Sequence, residues 1–439
     1  MIKKIVIFND FIRFSILNWF DSANELHNLF SYQINKATNL PIVSLKEAID
    51  INKFMQLNNL SSLENLDKEH TWAYFCNNIT TEAESYLVES LKDCLIVGYH
   101  SESLMIDIFL RNNIPFIDTF ETSFRFMQDS YFGFRTNIKD GKEYLLSKSL
   151  NINTMFVYAN YLKGYYKRKV GGWYTLEDNS CLLLGQTSRD TVLIKKDSTF
   201  VSLLEYKEEI REIAKKYKTL YYKMHPLEPL SAEIKEFLQS IPNAVEENRN
   251  FYELMAQDNI VEVFGLNSGG ISEAKFFGKK GTYLFEKPHK YYYHGIEDSI
   301  DIDSYTFIIL NSNSYIFKIN FWAEFLSGVI PTFKVAESEE VSFDNYQSIL
   351  SNFLNLSSAY ELKAYTQREA KAQIDKINFL EWNCNNTINS INERINYYEY
   401  LFNKQNNKWK KIGLNILCAF IPSKKLRKTI RSKYLNNHQ

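Results

Sequence analysis

The chain has 439 residues, 45% of them apolar, and a net charge of −1 at neutral pH. This length predicts two domains, and the near-zero charge disfavours a general nucleic-acid binder. The five cysteines are scattered and include no CxxC, so they indicate neither a disulfide framework nor a zinc site and fit a reducing cytosol. The first residues turn polar too soon for a signal peptide, and no apolar run of about 18 residues could span a membrane. We therefore expect a cytoplasmic protein.

The first part of the chain alternates short apolar runs with helical patterns. The predicted elements are a strand at 3–8, helices over 11–65 with a strand near 41–43, a strand at 94–99, a helix at 103–112 and a strand at 114–117. Strand, helix and strand at this spacing form a βαβ unit, which predicts a parallel sheet. The glycine-rich dinucleotide fingerprint is missing, so no nicotinamide cofactor is expected.

Two carboxylates and an arginine follow the predicted strand at 114–117. Asp118 and Glu121 are three residues apart, and Arg125 comes four residues after Glu121. They predict either a catalytic carboxylate kept ionised by a nearby cation or a helix N-terminus with acidic caps and a structural ion pair. Of the two carboxylates, Asp118 follows the strand more directly and is the stronger candidate for a structural cap. Glu121 is therefore the preferred catalytic residue.

A polar, glycine-containing stretch at 169–177 predicts the boundary between the two domains. The second domain is predicted to contain strands at 182–186, 219–222, 260–264, 282–285 and 305–310, with helices at 203–218 and 271–278. Further helices are expected from about 345 to 402. We predict an N-terminal acceptor-side domain over 1–175, a nucleotide-sugar-binding domain over 176–345, closing helices over 346–401 and a tail over 402–439.

Two turns of the second domain follow its strands directly. The first is Lys223-Met224-His225-Pro226, and the second is Gly265-Leu266-Asn267-Ser268-Gly269-Gly270, which leads into a helix. Ligands gather at the carboxyl ends of parallel strands, and the N–H groups at a helix start attract phosphate. The second turn therefore predicts a nucleotide-phosphate cradle, although a plain turn and a serine-capped helix start would show the same pattern. Asp301 and Asp303 have the form of a metal-binding pair but lie in an acidic run and are read as a solvated edge, so no metal site is predicted.

The tail is strongly basic. Residues 402–439 contain ten Lys or Arg and no Asp or Glu, and the apolar stretch 412–421 lies among them. A solvated basic helix would have this composition, and so would an anchor on anionic lipid, to which each basic residue adds at most about 1 kcal/mol. We favour the anchor, which would place the protein on the inner face of the plasma membrane.

The order of these motifs resembles that of the capsule polysaccharide synthesis proteins, which include the bacterial β-Kdo transferases. The matching motifs are Gly185-Gln186 with Asp190, then Lys223-x-His225-Pro226, then Ser268 to Glu273-Ala274, with Gly278-Lys279. Upstream, Ile114-Pro115, Glu121, Phe124 and Arg125 fit the Kdo-transferase pattern of Val-Pro, Glu-Asp-Gly-Phe and Arg, but Thr122 and Ser123 replace its Asp and Gly. The likeness covers about 115–285 and is also similar in outline to bacterial sialyltransferases.

The resemblance implies an α/β fold of the GT-B type, with two facing Rossmann-like domains and a CMP-activated donor in the cleft. It implies metal-independent transfer of a Kdo- or sialic-type acid, with pseudaminic and legionaminic acid among the candidates, onto a surface glycan or lipid-linked glycan. Glu273 would then accept from the ribose hydroxyls. The expected nucleotide-binding residues are Gln186, Lys223, His225, Pro226, Asn267, Ser268, Gly269, Gly270 and Glu273, and the catalytic candidates are Glu121, Asp118 and Arg125.

Two alternatives remain at this point. One is a teichoic-acid-type polyol-phosphate transferase, which also has a His-Pro turn but typically carries Asp where Asn267 stands. The other is a non-catalytic glycan-assembly protein with the same fold. The residues do not decide whether the carboxylate acts as nucleophile or as base.

Overall fold

A computed structural model gives the structure of the protein. It describes residues 2–17, 22–58, 66–127, 131–170, 176–225, 228, 230–286, 289–295, 301–340, 418, 421 and 423–435. The predicted helices over 345–402, residues 171–175 of the predicted boundary stretch 169–177, Pro226 and most of the basic tail lie outside the described residues. The chain divides into two units, Met1–Tyr360 and Glu361–Gln439, and the sheets and the site described below belong to the first of them.

The described elements alternate strands and helices. The strands are β1 (Lys4–Phe8), β2 (Ile42–Ser44), β3 (Cys94–Tyr99), β4 (Phe116–Glu121), β5 (Phe132–Thr136), β6 (Ser180–Leu184), β7 (Leu220–Lys223), β8 (Ala244–Glu246), β9 (Ile260–Gly265), β10 (Lys280–Tyr283), β11 (Lys290–Tyr292) and β12 (Thr306–Ile309). The helices are α1 (Phe11–Leu17), α2 (Ser22–Thr38), α3 (Leu45–Ala48), α4 (Ile51–Leu57), α5 (Lys68–Asn77), α6 (Thr81–Ser90), α7 (Ser103–Arg111), α8 (Lys139–Ser147), α9 (Ile152–Val170), α10 (Lys207–Ala214), α11 (Ala232–Gln239), α12 (Phe251–Met255), α13 (Gly269–Ala274), α14 (Ile319–Leu326) and α15 (Lys424–Leu435).

The first sheet has seven strands in the order β11-β12-β5-β4-β3-β1-β2. Its centre is parallel: β1 pairs with β2 and β3, and β3 pairs with β4. The residues from Ile5 to Phe8 are fully buried, as expected for an apolar run covered on both faces of a parallel sheet. Helices pack on both faces, with α2, α8 and α14 contributing to one core and α5, α6 and α7 to the other.

The second sheet has five strands, all parallel, in the order β10-β9-β6-β7-β8. β6 lies at its centre and is buried along its whole length, which explains its apolar sequence. The predicted α/β class with two Rossmann-like sheets is therefore confirmed.

The strand that carries the candidate carboxylates is longer than predicted. β4 runs from Phe116 to Glu121 because its second half pairs antiparallel with β5, and Asp118 lies opposite Arg135. Asp118 is therefore inside the strand, and Glu121 is its last residue. No helix begins among the described residues of the loop that follows, so the alternative of acidic helix caps does not apply.

The chain returns to the first sheet after leaving the second. β12, predicted in the second domain, pairs antiparallel with β5 and parallel with β11 at the edge of the first sheet. α14 follows it, and Trp322 packs 5.3 Å from the Phe30 ring of α2. Burial of Ile308 and Leu310 in the same core as α2, α8 and α14 explains this placement. The exact domain boundaries stay a prediction.

Among the helices that the structure describes, none combines the length and apolarity needed to cross a bilayer. The described part of the tail includes α15, which carries Lys424, Lys425, Arg427, Lys428 and Lys433. Membrane association of the tail stays a prediction.

Candidate active site

A cavity of about 250 Å³ lies between the carboxyl ends of the strands of the two sheets. Its lining comes from both halves of the first unit: His100, Phe120, Glu121, Ser123, Gln186, Asp190, Val192, Asn267, Gly269, Ser272, Tyr283, His289 and Tyr291. Concave sites lined by aromatic groups and a few convergent polar groups are the usual ligand sites of α/β proteins. The cavity therefore is the candidate active site.

Strand ends supply the polar side chains of the cavity. Glu121 ends β4 and His100 follows β3 directly, whereas Gln186 and Asn267 follow β6 and β9 by two residues. Parallel strands bring such residues to the same edge of a sheet although they are distant in sequence. The structure thus brings together the predicted residues Glu121, Gln186, Asn267 and Gly269.

Glu121 is held by a neighbouring tyrosine. The Tyr99 hydroxyl donates a hydrogen bond to Glu121 Oε2. Burial, reinforced by the carboxylate of Glu121, raises the pKa of Tyr99 well above its usual value, so the phenol keeps its proton and remains a donor. The positive charge of Arg125 opposes this rise in the pKa of Tyr99. The predicted pairing of Arg125 with Glu121 stays a prediction.

Asp118 does not reach the cavity. Its carboxylate is 1% exposed and forms an ion pair of 2.7 Å with Arg135, which is 7% exposed. Its other oxygen accepts from the Ser101 hydroxyl at 2.8 Å and from the Ser101 N–H at 3.1 Å. Asp118 is therefore a structural residue of the first sheet, which corrects its place among the catalytic candidates.

Asn267 presents an unsatisfied acceptor. Its backbone N–H donates to Gln186 Oε1 at 3.2 Å, and its Nδ2 donates to the Val192 carbonyl, which fixes the orientation of the amide. Oδ1 is buried and meets no donor within the described part of the chain. Buried acceptors nearly always have partners, so this atom indicates a ligand that brings an N–H or O–H group.

The glycines of the second turn have a packing explanation. A Cβ atom on Gly269 would lie 2.6 Å from Ser123 Cβ, and one on Gly270 would lie 2.8 Å from Leu184 Cδ1. Gly269 therefore lets the loop after β4 approach α13, where Ser123 Oγ lies 3.2 Å from Ser272 Oγ. Ser268 is the N-cap residue of α13 but makes no side-chain cap hydrogen bond. Phosphate binding by Ser268, Gly269 and Gly270 stays a prediction.

Glu273, on α13, links the second sheet's segment to the loop after β4. Its carboxylate is 2% exposed and accepts from the Arg125 N–H at 2.5 Å and from the Tyr252 hydroxyl at 3.0 Å. Burial raises the pKa of Glu273 to about 8, although the Arg125 N–H and the tyrosine hydroxyl oppose the rise. Because α13 turns this side chain inward, it is not placed to bind ribose, which corrects that expectation.

The first turn adjoins the cavity without lining it. Lys223 Nζ donates to the Asn248 carbonyl at 3.4 Å. Burial lowers the pKa values of Lys223 and His225, and the negative charge of Asp190, a cavity residue, partly offsets the effect on His225. A role of Lys223 and His225 in nucleotide binding stays a prediction.

Sequence reasoning missed the aromatic wall. His100 stacks on Phe120 with ring centroids 4.9 Å apart, and Phe120 packs against His289 at 4.6 Å and Tyr291 at 6.3 Å. The place of His100 directly after a buried strand was a usable signal. His289 and Tyr291 had none, because they reach the site only through the return of the chain to the first sheet.

Metal-ligand groupings are not seen in the described ranges: no cluster of three or more His, Cys, Asp or Glu side chains occurs there. Asp303 pairs instead with Lys290 at 2.6 Å and accepts from the Thr306 hydroxyl at 2.9 Å. It therefore anchors the edge between β11 and β12.

We expect the buried Glu273 to make stability pH-dependent. Its folded pKa of about 8 exceeds its ordinary value of 4.5, so the native state keeps a proton that the unfolded chain releases. Stability should fall as the pH rises through this window. Glu273→Gln should remove that part of the slope, because glutamine has no proton to release. Its amide oxygen can still accept from the Arg125 N–H. Urea unfolding between about pH 5 and pH 8.5 measures it, with Glu246→Gln as control; equal slopes in Glu273→Gln and wild type would contradict the assignment.

Comparison with known proteins gives a distant structural similarity. The KpsC β-Kdo 2,7-transferase of Thermosulfurimonas dismutans is 14% identical, with a TM-score of 0.32, and the match covers 65% of this chain and 94% of that one. The KpsC β-Kdo 2,4-transferase of the same organism is also 14% identical, with a TM-score of 0.26 over 43% and 68% of the two chains. No protein-family model and no curated protein sequence matches the chain. Similarity at this level does not establish donor, acceptor or reaction.

Proposed function

We propose that the protein is a glycosyltransferase that moves a Kdo- or sialic-type acid from a CMP-activated donor onto a bacterial surface glycan or lipid-linked glycan. The observation that carries the proposal is the composition of the cavity. Glu121 enters it from the first sheet, and Gln186, Asn267 and Gly269 enter it from the second. One cavity thus combines a carboxylate with amide groups that could hold a nucleotide, and transfer from a nucleotide sugar needs both.

The second sheet supplies the donor side. Asn267 Oδ1 is the buried acceptor without a donor, and a cytosine amino group or a ribose hydroxyl would satisfy it. Gly269 lines the cavity, and Ser268 precedes it in the sequence. With His225, these residues are the proposed phosphate-binding groups. A CMP donor carries a single phosphate, which a few hydrogen-bond donors can hold. The proposal therefore includes neither a metal ion nor another cofactor.

The first sheet supplies the reacting carboxylate. CMP is a good leaving group, so the reaction needs a group that attacks the anomeric carbon or one that takes the proton of the acceptor hydroxyl. Glu121 ends β4 inside the cavity and is held by Tyr99. In this proposal Glu121 engages the anomeric carbon.

We expect wild-type protein to release CMP from one member of a panel of CMP-sugars, and to release it faster with a glycan acceptor. CMP formation should persist in EDTA. UDP- and GDP-sugars are the matched control donors. Donor binding without turnover would favour a non-catalytic assembly protein, and turnover of CDP-glycerol or CDP-ribitol alone would favour a polyol-phosphate transferase. Neither binding nor turnover of any CMP-sugar would overturn the proposal.

The basic tail is proposed to hold the enzyme at an anionic membrane surface. Its motivation is the excess of ten basic residues over no acidic ones in 402–439. A chain truncated after Tyr400 should keep turnover of a soluble acceptor but no longer sediment with anionic liposomes. Full-length binding should weaken with salt, because screening shortens the reach of the charges. Equal sedimentation of both chains at low salt would contradict the anchor.

A further inference from the structure

Two histidines meet in the wall of the cavity. His100 follows β3 and His289 precedes β11, and their Nε2 atoms are 3.5 Å apart, at the outer limit of a hydrogen bond. The rings lie at 75° to each other with centroids 5.4 Å apart. Both residues line the cavity beside Glu121. Two imidazoles in this contact require a proton on one nitrogen and a lone pair on the other.

The backbone of His100 is held in an uncommon conformation. Its φ is +53°, in the left-handed region that disfavours most side chains. The other described non-glycine residues with positive φ are Asn39, Asp93, Asn113, Asn179 and Ser198, all short and polar. The His100 N–H donates to the Thr119 carbonyl at 2.8 Å, which fixes the turn. This conformation fixes the point from which the His100 side chain leaves the backbone at the end of β3.

The surroundings of His289 keep it neutral. Burial lowers its pKa well below the usual value, and the neighbouring His100 and Arg135 lower it further. Its ring packs on Phe120 at 4.6 Å and on Phe307 at 5.6 Å. Neutral His289 has one protonated and one unprotonated ring nitrogen; in the tautomer with the lone pair at Nε2, it accepts from a protonated Nε2 of His100. The His100 Nδ1 then carries a lone pair, and no hydrogen bond to Nδ1 occurs within the described residues.

We propose that His100 Nδ1 is the base that takes the proton of the acceptor hydroxyl, and that His289 is the positioning residue that fixes its tautomer. This inference rests on the proposed glycosyl transfer and deepens it by separating two roles. The imidazolium formed at His100 is stabilised by its hydrogen bond to the neutral His289. Glu121 is then left free to act as the nucleophile.

The proposed steps balance. First, a Glu121 oxygen forms a bond to the anomeric carbon, and the bond from that carbon to the phosphate oxygen breaks, so that CMP leaves with the electron pair. Second, the acceptor oxygen bonds to the anomeric carbon while its proton moves to His100 Nδ1. The bond to Glu121 breaks, and its electron pair restores the carboxylate. Release of the proton to water returns His100 to its neutral form.

The test uses His100→Gly, because glycine suits the positive φ and leaves a space the size of an imidazole. We expect transfer to the acceptor to fall by about a hundredfold. Added imidazole should restore part of it. The first CMP release should persist, so mass spectrometry should find a glycosyl-enzyme on Glu121. His294→Ala, which changes an exposed histidine, should behave as wild type. Wild-type transfer by His100→Gly, or a loss that imidazole does not relieve, would overturn the proposal.

A second measurement does not need a donor. Nitrogen-15 NMR of histidine-labelled protein should show His100 protonated at Nε2 and His289 protonated at Nδ1, with assignments from His100→Gly and His289→Phe. The reverse tautomers, or a cationic His289 at neutral pH, would overturn the inference. If no CMP-sugar is turned over, the proposed function fails separately, and the tautomers still decide whether this pair exists as described.

Discussion

Glu121→Gln is expected to lower turnover of the CMP-sugar by about a hundredfold or more, the size of effect that follows loss of a nucleophile or base. Glutamine keeps the shape of the side chain and still accepts from the Tyr99 hydroxyl, but it removes the negative charge from the cavity. CMP affinity should be preserved, because the proposed nucleotide-binding residues belong to the second sheet. Initial rates of CMP release and calorimetry with CMP measure the two effects separately.

The unfolding free energy of Glu121→Gln should stay close to that of wild type, since Glu121 is only partly buried at a strand end. Glu246→Gln changes the same residue type at the end of β8, outside the cavity, and is the matched control. Near-normal turnover in folded Glu121→Gln would remove this carboxylate from the chemistry and direct attention to Asp190, the other carboxylate of the lining.

The sequence was sufficient to predict the elements that build the site. β3, β6 and β9 are buried parallel strands with apolar runs and polar turns, and these local patterns placed Gln186 and Asn267 correctly at strand ends. The same patterns identified Glu121. They favoured Glu121 over Asp118 but placed Asp118 after the strand rather than inside it, because the extension of β4 depends on its pairing with β5.

The features that the sequence did not predict depend on contacts between segments that are far apart along the chain. β12 joins the first sheet although it follows the second, and this return brings His289 and Tyr291 to the cavity. Glu273 lies one turn into a helix, where a ligand-binding residue is expected. Its carboxylate instead accepts a hydrogen bond from the N–H of Arg125, in the loop after β4. Gly269 of the same turn allows the close approach of Ser123, and Gly270 allows that of Leu184. Each of these three features depends on a contact with a distant segment, which a local sequence pattern cannot predict.

Asp118→Asn is expected to destabilise the protein by about 3–5 kcal/mol, because it removes one partner of a buried ion pair and leaves the other charge uncompensated. Arg135 is 7% exposed and lies between the Asp118 carboxylate and the Phe307 ring, with its centre 4.5 Å from that ring. Gly98 leaves no space for rearrangement, since even a Cβ atom there would be 2.7 Å from Asp118 Oδ1. Denaturant unfolding measures the loss.

The matched control is Asp93→Asn, which breaks the exposed pair with Lys3 and should leave stability almost unchanged. Neutralising both buried partners, as in Asp118→Asn with Arg135→Met, should destabilise less than Asp118→Asn alone, because no unpaired charge then remains in the core. A double variant whose loss of unfolding free energy equals the sum of the losses in Asp118→Asn and Arg135→Met would show that the two charges act independently.

In protein that remains folded, Asp118→Asn should keep far more turnover than Glu121→Gln, since the Asp118 carboxylate faces Arg135 and Ser101 rather than the cavity. An inactive but fully stable Asp118→Asn protein would reverse the two assignments and make Asp118 the catalytic residue.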